Sequence, residues 1–174
     1  MSRAEEQRWT IERVAIDHPD AVTLVAAVQA EYVERYGGPD DSPVDVAEFE
    51  VPQGAFFVGS LEGVPVATGA WRRSGVSALG STATAEVKRM YVVPAARRRG
   101  LSRRMLAHLE RTAAEAGAAV LVLETGTRQP EAIALYESSG YRPVPGFGHY
   151  RDSPLSRCFA KALRPDAGAS ASSS

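Results

Sequence analysis

Residues 85–141 read AEVKRMYVVPAARRRGLSRRMLAHLERTAAEAGAAVLVLETGTRQPEAIALYESSGY. This stretch predicts a strand, a short loop, a helix, a second strand and a second helix. Residues 87–93 are rich in β-branched and apolar side chains, and the loop from Pro94 to Gly100 cannot continue a strand. From Leu101 to Ala116, apolar residues recur at helical spacing. An arginine-rich loop that opens directly into a helix is suited to bind phosphate.

The start of this helix supplies the physical reason. The first turn of a helix carries unpaired backbone N–H groups and about half a positive charge from the helix dipole. Arg97, Arg98 and Arg99 add positive charge at the same point, and Gly100 has no Cβ that would keep a ligand away from the backbone. The loop therefore predicts a pyrophosphate site. A nucleic-acid-binding patch of arginines is the alternative.

Two short motifs make this prediction more specific. The chain has neither G-x-x-x-x-G-K-[ST] nor a G-x-G-x-x-G after a strand, so the common nucleotide-binding loops are absent. It has instead R-x-x-G-x-S from Arg97 to Ser102, and Q-x-x-A-x-x-L-Y-x-x-x-G-Y from Gln129 to Tyr141. The second motif falls on the helix that follows the second strand.

Together these motifs resemble the GCN5-related N-acetyltransferase (GNAT) superfamily, in which [QR]-x-x-G-x-[GA] binds acetyl-CoA and N-x-x-A-x-x-L-Y-x-x-x-G-[FY] follows. Ser102 and Gln129 depart from this pattern, although serine is small and glutamine keeps an amide. Most of the chain also resembles uncharacterised bacterial members of the superfamily. The resemblance implies an α+β fold, an α/β/α sandwich with a mixed, mostly antiparallel sheet of about six or seven strands flanked by about four helices.

The remaining sequence predicts the elements that such a fold needs. The predicted order is β-α-α-β-β-β-α-β-α-β-β. Outside the opening stretch, the predicted elements are a strand at Trp9 to Ile16, a helix from Pro19 to Gly37-Gly38, a short helix ending near Phe49, a hairpin of Ala55 to Leu61 with Val64 to Trp71, and a last strand from Leu155 to Leu163.

Composition limits the organisation and the partners. The 174 residues, 44% of them hydrophobic, are enough for one domain at 9–164, with a flexible N-terminus at 1–8 and a disordered tail at 165–174. Twenty basic and 21 acidic residues give no overall field that would favour nucleic acid or an anionic membrane. A single cysteine and three scattered histidines predict no disulfide and no metal site. Without a signal peptide or membrane span, we expect a cytoplasmic protein.

The resemblance implies acetyl-CoA as the donor and assigns residues to it. In the superfamily the strand before the loop carries a bulge and diverges from its neighbour, so that its backbone N–H groups reach the pantetheine and the thioester oxygen. The loop binds the pyrophosphate, and the amide of the second motif contacts the pantetheine arm. The donor-binding residues are then Met90, Tyr91, Val92, Arg97, Arg98, Arg99, Gly100, Leu101, Ser102, Gln129 and Tyr136.

The transfer also needs groups that move protons. A primary amine has a pKa of about 10.4, so a base must remove a proton at neutral pH. The resemblance implies Glu86 as this base, acting directly or through water, and Glu124 is a second candidate. It implies Tyr136 as the acid that protonates the departing thiolate. The alternatives are a solvent-facing Glu86 and a Tyr136 that only fills the core. Cys158 is expected to be a buried, inert thiol rather than an acyl carrier.

The acceptor is less well determined by the sequence. The superfamily takes its acceptor-binding residues from particular segments of the fold. In this chain those segments contain the candidates Tyr32, Tyr36, Trp71, Phe147 and His149, with Arg72 and Tyr150 nearby. Aromatic and arginine side chains suit a small amine that carries a carboxylate, whereas Asp40, Asp41, Asp45 and Glu48 suit a polycation equally well.

We therefore expect an N-acetyltransferase that moves an acetyl group to the primary amine of a small molecule, such as an amino acid, a polyamine or an antibiotic-like amine, by direct attack in a ternary complex. The alternatives are a protein or peptide acetyltransferase and a non-catalytic acyl-CoA-binding module. A homodimer through the last strands is a further expectation from the resemblance.

Overall fold

The computed structural model describes residues 8–38, 46–148 and 150–163. Predictions for residues 1–7, for Asp40, Asp41 and Asp45, for His149 and for the tail from residue 164 lie outside these ranges. Seven strands are described: β1 (Trp9–Arg13), β2 (Gly54–Leu61), β3 (Val64–Arg73), β4 (Thr84–Val92), β5 (Val120–Gly126), β6 (Arg142–Pro143) and β7 (Ser156–Ala162). Three α-helices are described: α1 (Pro19–Tyr36), α2 (Leu101–Glu115) and α3 (Pro130–Ser138).

The strands form one sheet in the order β1-β2-β3-β4-β5-β7-β6. The β4–β5 pair is parallel, and the other neighbouring strands run antiparallel. This arrangement confirms the predicted mixed, mostly antiparallel sheet and the predicted order of elements. The predicted second helix is a single 3-10 turn at Val46–Phe49, since four residues that are soon followed by Pro52 are too few for a stable α-helix.

The sheet is covered on both faces, which explains the unbroken apolar run in β2. Consecutive side chains of a strand point to opposite faces, and neighbouring Phe56 and Phe57 of β2 belong to different core clusters. Phe56 packs with Leu24 and Val28 of α1, whereas Phe57 shares a cluster with residues of α2 and α3. Helix α1 therefore covers one face, and α2 and α3 cover the other.

Local sequence signals fix the ends of these elements. Helix α1 begins with Pro19, after His18, whose Nδ1 accepts a hydrogen bond from the Asp20 N–H, and it ends at Gly37 in the left-handed conformation. The hairpin between β2 and β3 turns through Glu62 and Gly63, both at positive φ, as two-residue turns of this type require. Along α2, the predicted apolar stripe is buried; it consists of Leu101, Met105, Leu106, Leu109 and Ala113.

His108 of α2 links stability to pH. Its ring stacks edge-on against Phe57 with centroids 4.6 Å apart, and Arg111 Nη2 lies 3.0 Å from its Nδ1. Burial and the nearby Arg111 charge lower the pKa of His108. The unfolded chain then binds this proton more readily than the folded protein, so the free energy of unfolding falls as the pH drops below about 6.5.

We expect His108→Phe to remove this part of the acid sensitivity. The variant keeps a ring beside Phe57 but cannot bind a proton. When the pH is lowered from 7.5 to 5.5, the Tm of the variant should fall by about 1–2 °C less than the Tm of the wild type. Thermal unfolding followed by circular dichroism measures both values. His108→Gln serves as a second, non-titrating control. Equal Tm losses in all three proteins would contradict the assignment.

Candidate active site

The central strands separate after a short paired segment. β4 and β5 pair at three positions, Thr84–Glu86 with Val120–Val122, and then diverge. The pairing of β3 with β4 changes register between Thr68 and Ala70 of β3. Opposite this shift, Arg89 of β4 has a φ of 56°. The Thr68 hydroxyl donates to the Arg89 carbonyl at 2.6 Å. The bulge and the divergence that the sequence implied for β4 are both present.

A cleft of about 530 Å³ opens where the strands diverge. β4, β5, α1, α3 and the loop before α2 form its walls. All of the predicted donor-binding residues except Arg99 border it: Met90, Tyr91, Val92, Arg97, Arg98, Gly100, Leu101, Ser102, Gln129 and Tyr136. Tyr32 also borders the cleft, while Glu86, Tyr36, Trp71 and Phe147 are not among its lining residues.

One end of the cleft is formed by the start of α2. Arg98 and Gly100 have φ values of 66° and 75°, and Gly100 caps the helix without a side-chain hydrogen bond. A Cβ at Gly100 would meet no protein atom within 4 Å, so the left-handed conformation is what favours glycine here. The first backbone N–H groups of α2 lack i−4 partners within the helix, and left-handed residues turn successive N–H groups toward one point. This geometry suits an anion.

The Arg97 side chain links the loop before α2 to α1. Its Nη2 lies 2.7 and 2.9 Å from the two carboxylate oxygens of Glu31, and its Nε donates to the Val92 carbonyl at 2.9 Å. Burial and Glu31 raise the pKa of neighbouring Tyr91. Arg97 therefore reaches the cleft with a side chain that already has partners in α1 and β4.

The end of α1 is tied to the loop between β5 and α3. Arg35 Nη1 donates to the Arg128 carbonyl at 3.2 Å, and Arg128 Nη1 donates to the Arg35 carbonyl at 2.9 Å. The Tyr36 hydroxyl accepts from Gln129 Nε2 at 3.4 Å, and an alanine Cβ at Gly126 would overlap that hydroxyl. Helix α1 thus bridges both sides of the split in the sheet.

Tyr136 projects from α3 to the cleft and is only 6% exposed. Its ring packs edge-on against Tyr141 with centroids 5.7 Å apart. Burial, with a smaller contribution from Tyr32, raises the pKa of Tyr136 well above its usual value. The phenol is therefore protonated at neutral pH, and it both fills the core and borders the cleft.

The two candidate bases have different surroundings. Glu86 is 6% exposed, and its carboxylate lies 3.1 Å from Arg72 Nη2 and 3.7 Å from Lys88 Nζ. Burial on its own would lower the pKa of Arg72. The carboxylates of Glu86 and Glu48 outweigh this effect and raise the pKa of Arg72, and Glu48 also bonds to the guanidinium. Glu124 borders the cleft directly. Glu86 is thus an ion-paired residue next to the cleft rather than a solvent-facing one.

The candidate acceptor-binding residues are dispersed. Trp71 lies in the core, 4% exposed, and its Nε1 donates to the Thr112 hydroxyl of α2 at 3.0 Å. We therefore leave Trp71 out of the acceptor site. Phe147 packs against a small cluster that contains Val122 and Ala160. Tyr32 and Tyr36 lie on α1, and their rings are 6.1 Å apart.

Sequence reasoning missed five charged residues of the cleft wall. They are Glu31, Arg35, Lys88, Arg89 and Glu131. Two consecutive basic residues within an otherwise apolar central strand were the available signal for Lys88 and Arg89.

Outside the cleft, the described residues give no second reactive or metal-binding site. Cys158 is 5% exposed, and burial raises the pKa of its thiol, which favours the inert, protonated form. Within residues 8–38, 46–148 and 150–163, no group of three acidic, histidine or cysteine side chains is arranged to hold a metal ion. In the same ranges, no helix combines the length and the apolar character of a membrane span.

Comparison with known proteins identifies the family. The family model of the Acetyltransferase (GNAT) family matches residues 24–141. The chain is 32% identical over 154 residues to an IAA acetyltransferase of Azospirillum brasilense, covering 88% of this chain and 97% of the relative.

Solved structures agree with this match. A Klebsiella pneumoniae protein described as an acyl-CoA N-acyltransferase superposes with a TM-score of 0.73 at 30% identity, covering 90% of this chain and 98% of that one. An acetyltransferase of Salmonella typhimurium, solved with acetyl-CoA, shares the fold with a TM-score of 0.65 at 23% identity, covering 92% and 99% of the two chains. The chain therefore belongs to the GNAT family and is an acetyl-CoA-dependent acetyltransferase.

Proposed function

We propose that this enzyme transfers the acetyl group of acetyl-CoA to the primary amine of a small molecule, by direct attack in a ternary complex. The split between β4 and β5 carries the proposal. It opens one continuous cleft that joins the start of α2 to Tyr136 and to Tyr32 of α1. We also expect the enzyme to act in the cytoplasm and to form a homodimer, which sedimentation analysis would test.

The residues of the cleft fit the donor. The free N–H groups at the start of α2, with Arg98 and Ser102, would hold the pyrophosphate. Met90, Tyr91 and Val92 would bind the pantetheine arm along β4, where the strand is no longer paired with β5. Gln129 would contact the same arm from the opposite side. When bound, acetyl-CoA supplies the thioester that an amine can attack.

The backbone of β4 would assist the attack. Past Glu86, the backbone groups of β4 that face β5 have no strand partner there. An N–H group fixed in this way and directed at the thioester oxygen stabilises the negative charge that develops on it, by roughly 3–4 kcal/mol for each donor. The bulge at Arg89 directs these groups into the cleft.

Two carboxylates are available to remove the amine proton. Glu86 is buried and ion-paired beside the cleft, so it would act through a chain of water molecules. Glu124 borders the cleft and would accept the proton directly. The remaining step, protonation of the departing sulfur, is assigned to Tyr136, because its phenol is protonated at neutral pH and borders the cleft.

Binding of the donor is the first test. At 100 times its Kd, acetyl-CoA should stabilise the protein by about 2.7 kcal/mol and raise its Tm by about 5–10 °C. Arg97→Ala should weaken binding about tenfold, since it removes a positive charge from the loop and releases α1. Thermal-shift titration with acetyl-CoA checks both, with an oligonucleotide of the same charge as control. A shift with the oligonucleotide alone would reject the proposal.

Tyr136→Phe should leave donor affinity unchanged and lower kcat about 100-fold, because only the proton donor is lost. The ring, and with it the packing against Tyr141, is kept. Turnover is followed by thiol release at saturating acetyl-CoA, over a panel of amino acids, polyamines, aminoglycosides and peptides. A kcat equal to that of the wild type would remove Tyr136 from the mechanism. Turnover of peptides alone would favour the protein or peptide acceptor.

Glu86→Gln and Glu124→Gln should separate the two candidate bases. Loss of the base should cost about 100-fold in kcat/KM near pH 6 and much less near pH 10, where the solvent can deprotonate the amine. The variant of the true base should show this dependence, and the other should lose activity evenly across the range. Identical pH–rate profiles for both variants and the wild type would exclude both carboxylates.

A further inference from the structure

Arg89 is held at an unusual place in the central strand. It lies in the bulge of β4 with a φ of 56°, a conformation that few residues other than glycine adopt. Its carbonyl is fixed by the hydroxyl of Thr68, which is fully buried. A bulge redirects a side chain, and such a backbone conformation is strained and persists only where the surroundings hold it. The position of Arg89 is therefore well defined.

Among the described residues Arg89 has no acidic partner, in contrast to three other cations of the cleft wall. Arg35 and Arg97 contact Glu31, and Lys88 contacts Glu86, each within 4 Å. Among the residues that the structure describes, no side chain bonds to the Arg89 guanidinium, and its Nη1 is buried without a partner.

A guanidinium in this state favours an anion. A buried donor without an acceptor destabilises the protein, and more so when the donor is charged. The planar guanidinium binds a carboxylate through two parallel hydrogen bonds, which makes arginine selective for such groups. An anion that enters the cleft beside Arg89 would recover this free energy.

The phosphates of the donor are too far along the strand to be that anion. Arg89 precedes Val92, the end of β4, by three residues, which is about 10 Å of extended strand. The pyrophosphate loop begins only after that end. Arg89 adjoins Met90, one of the residues proposed to bind the pantetheine arm, whose far end carries the acetyl group that the acceptor must reach.

The facing strand offers the complementary charge. Glu86 of β4 pairs with Val122 of β5 before the strands diverge, and two residues further along β5 Glu124 borders the same cleft as Arg89. Glu124 attracts an ammonium group, and Arg89 attracts a carboxylate. A molecule that carries both groups matches this pair of walls better than a polycation does.

We propose that Arg89 binds a carboxylate of the acceptor, and that the acceptor is an amino acid or a similar small amine with a nearby carboxylate. This inference rests on the proposed acetyl transfer and specifies its substrate class. The matched amino acid amides keep the amine and the side chain and lack only the carboxylate, so they are the appropriate comparison.

The test compares thiol release with a pool of the twenty amino acids and with the pool of their amides, at saturating acetyl-CoA. The wild type should prefer the acids by at least tenfold in kcat/KM. Arg89→Asn, which tolerates the left-handed backbone, should abolish this preference and leave the KM for acetyl-CoA unchanged. Arg89→Lys should keep part of it, and Arg13→Asn, on the exposed end of β1, should keep all of it.

Three results would overturn the inference. A wild type that acetylates the amides as well as the acids needs no carboxylate. An Arg89→Asn variant with kcat lowered equally for both pools would mean that Arg89 stabilises charge developing on the donor. If neither pool is acetylated, calorimetry in the presence of CoA compares the binding of two product pools, the N-acetyl amino acids and the N-acetyl amino acid amides. Equal binding of the two pools, or no binding, counts against the inference.

The proposed acetyl transfer itself fails only if acetyl-CoA does not bind or no amine of the wider panel is acetylated.

Discussion

Hydrogen bonding between β4 and β5 stops after three residue pairs, and the cleft exists because it stops there. A sheet normally continues to pair, since buried backbone groups without partners are costly. Here the bulge at Arg89 changes the direction of β4, and the Thr68 hydroxyl secures the carbonyl at that point. The same change leaves backbone donors facing an open space. The sheet thus leaves some backbone groups at its centre unpaired, and these groups line the cleft.

Helix α1 holds the two sides of this opening together. Glu31 binds Arg97 of the loop before α2 on one side. Four residues later, on the other side, Arg35 and Arg128 each donate a side-chain hydrogen bond to the carbonyl of the other. The residues between these two contacts include Tyr32, which borders the cleft. The loop before α2 and the loop between β5 and α3 are therefore connected through a single turn of one helix. A displacement of α1 would be felt at both ends of the cleft.

The sequence allowed the order of elements, the hairpin and the loop that opens into α2 to be predicted, because each depends on local signals such as positive-φ turns and the start of a helix. Trp71 shows where such reasoning ends. Its neighbours in sequence do not reveal that its indole packs against Thr112 of α2. Glu86 was expected beside the cleft, but its pairing with Arg72 and Lys88 depends on which side chains share one face of the sheet. Arg89 was missed because a bulge shifts the alternation of faces, so the pair of basic residues in β4 does not by itself reveal which side chain reaches the cleft.

The contact between Tyr36 and Gly126 restricts how this protein can change. The tyrosine hydroxyl occupies the space that any side chain at position 126 would need. A larger residue at 126 is compatible only with a smaller or displaced residue at 36, so substitution of Gly126 depends on what stands at position 36. Enlarging position 126 would therefore require two coordinated substitutions, and either one alone would pass through a less well-packed protein.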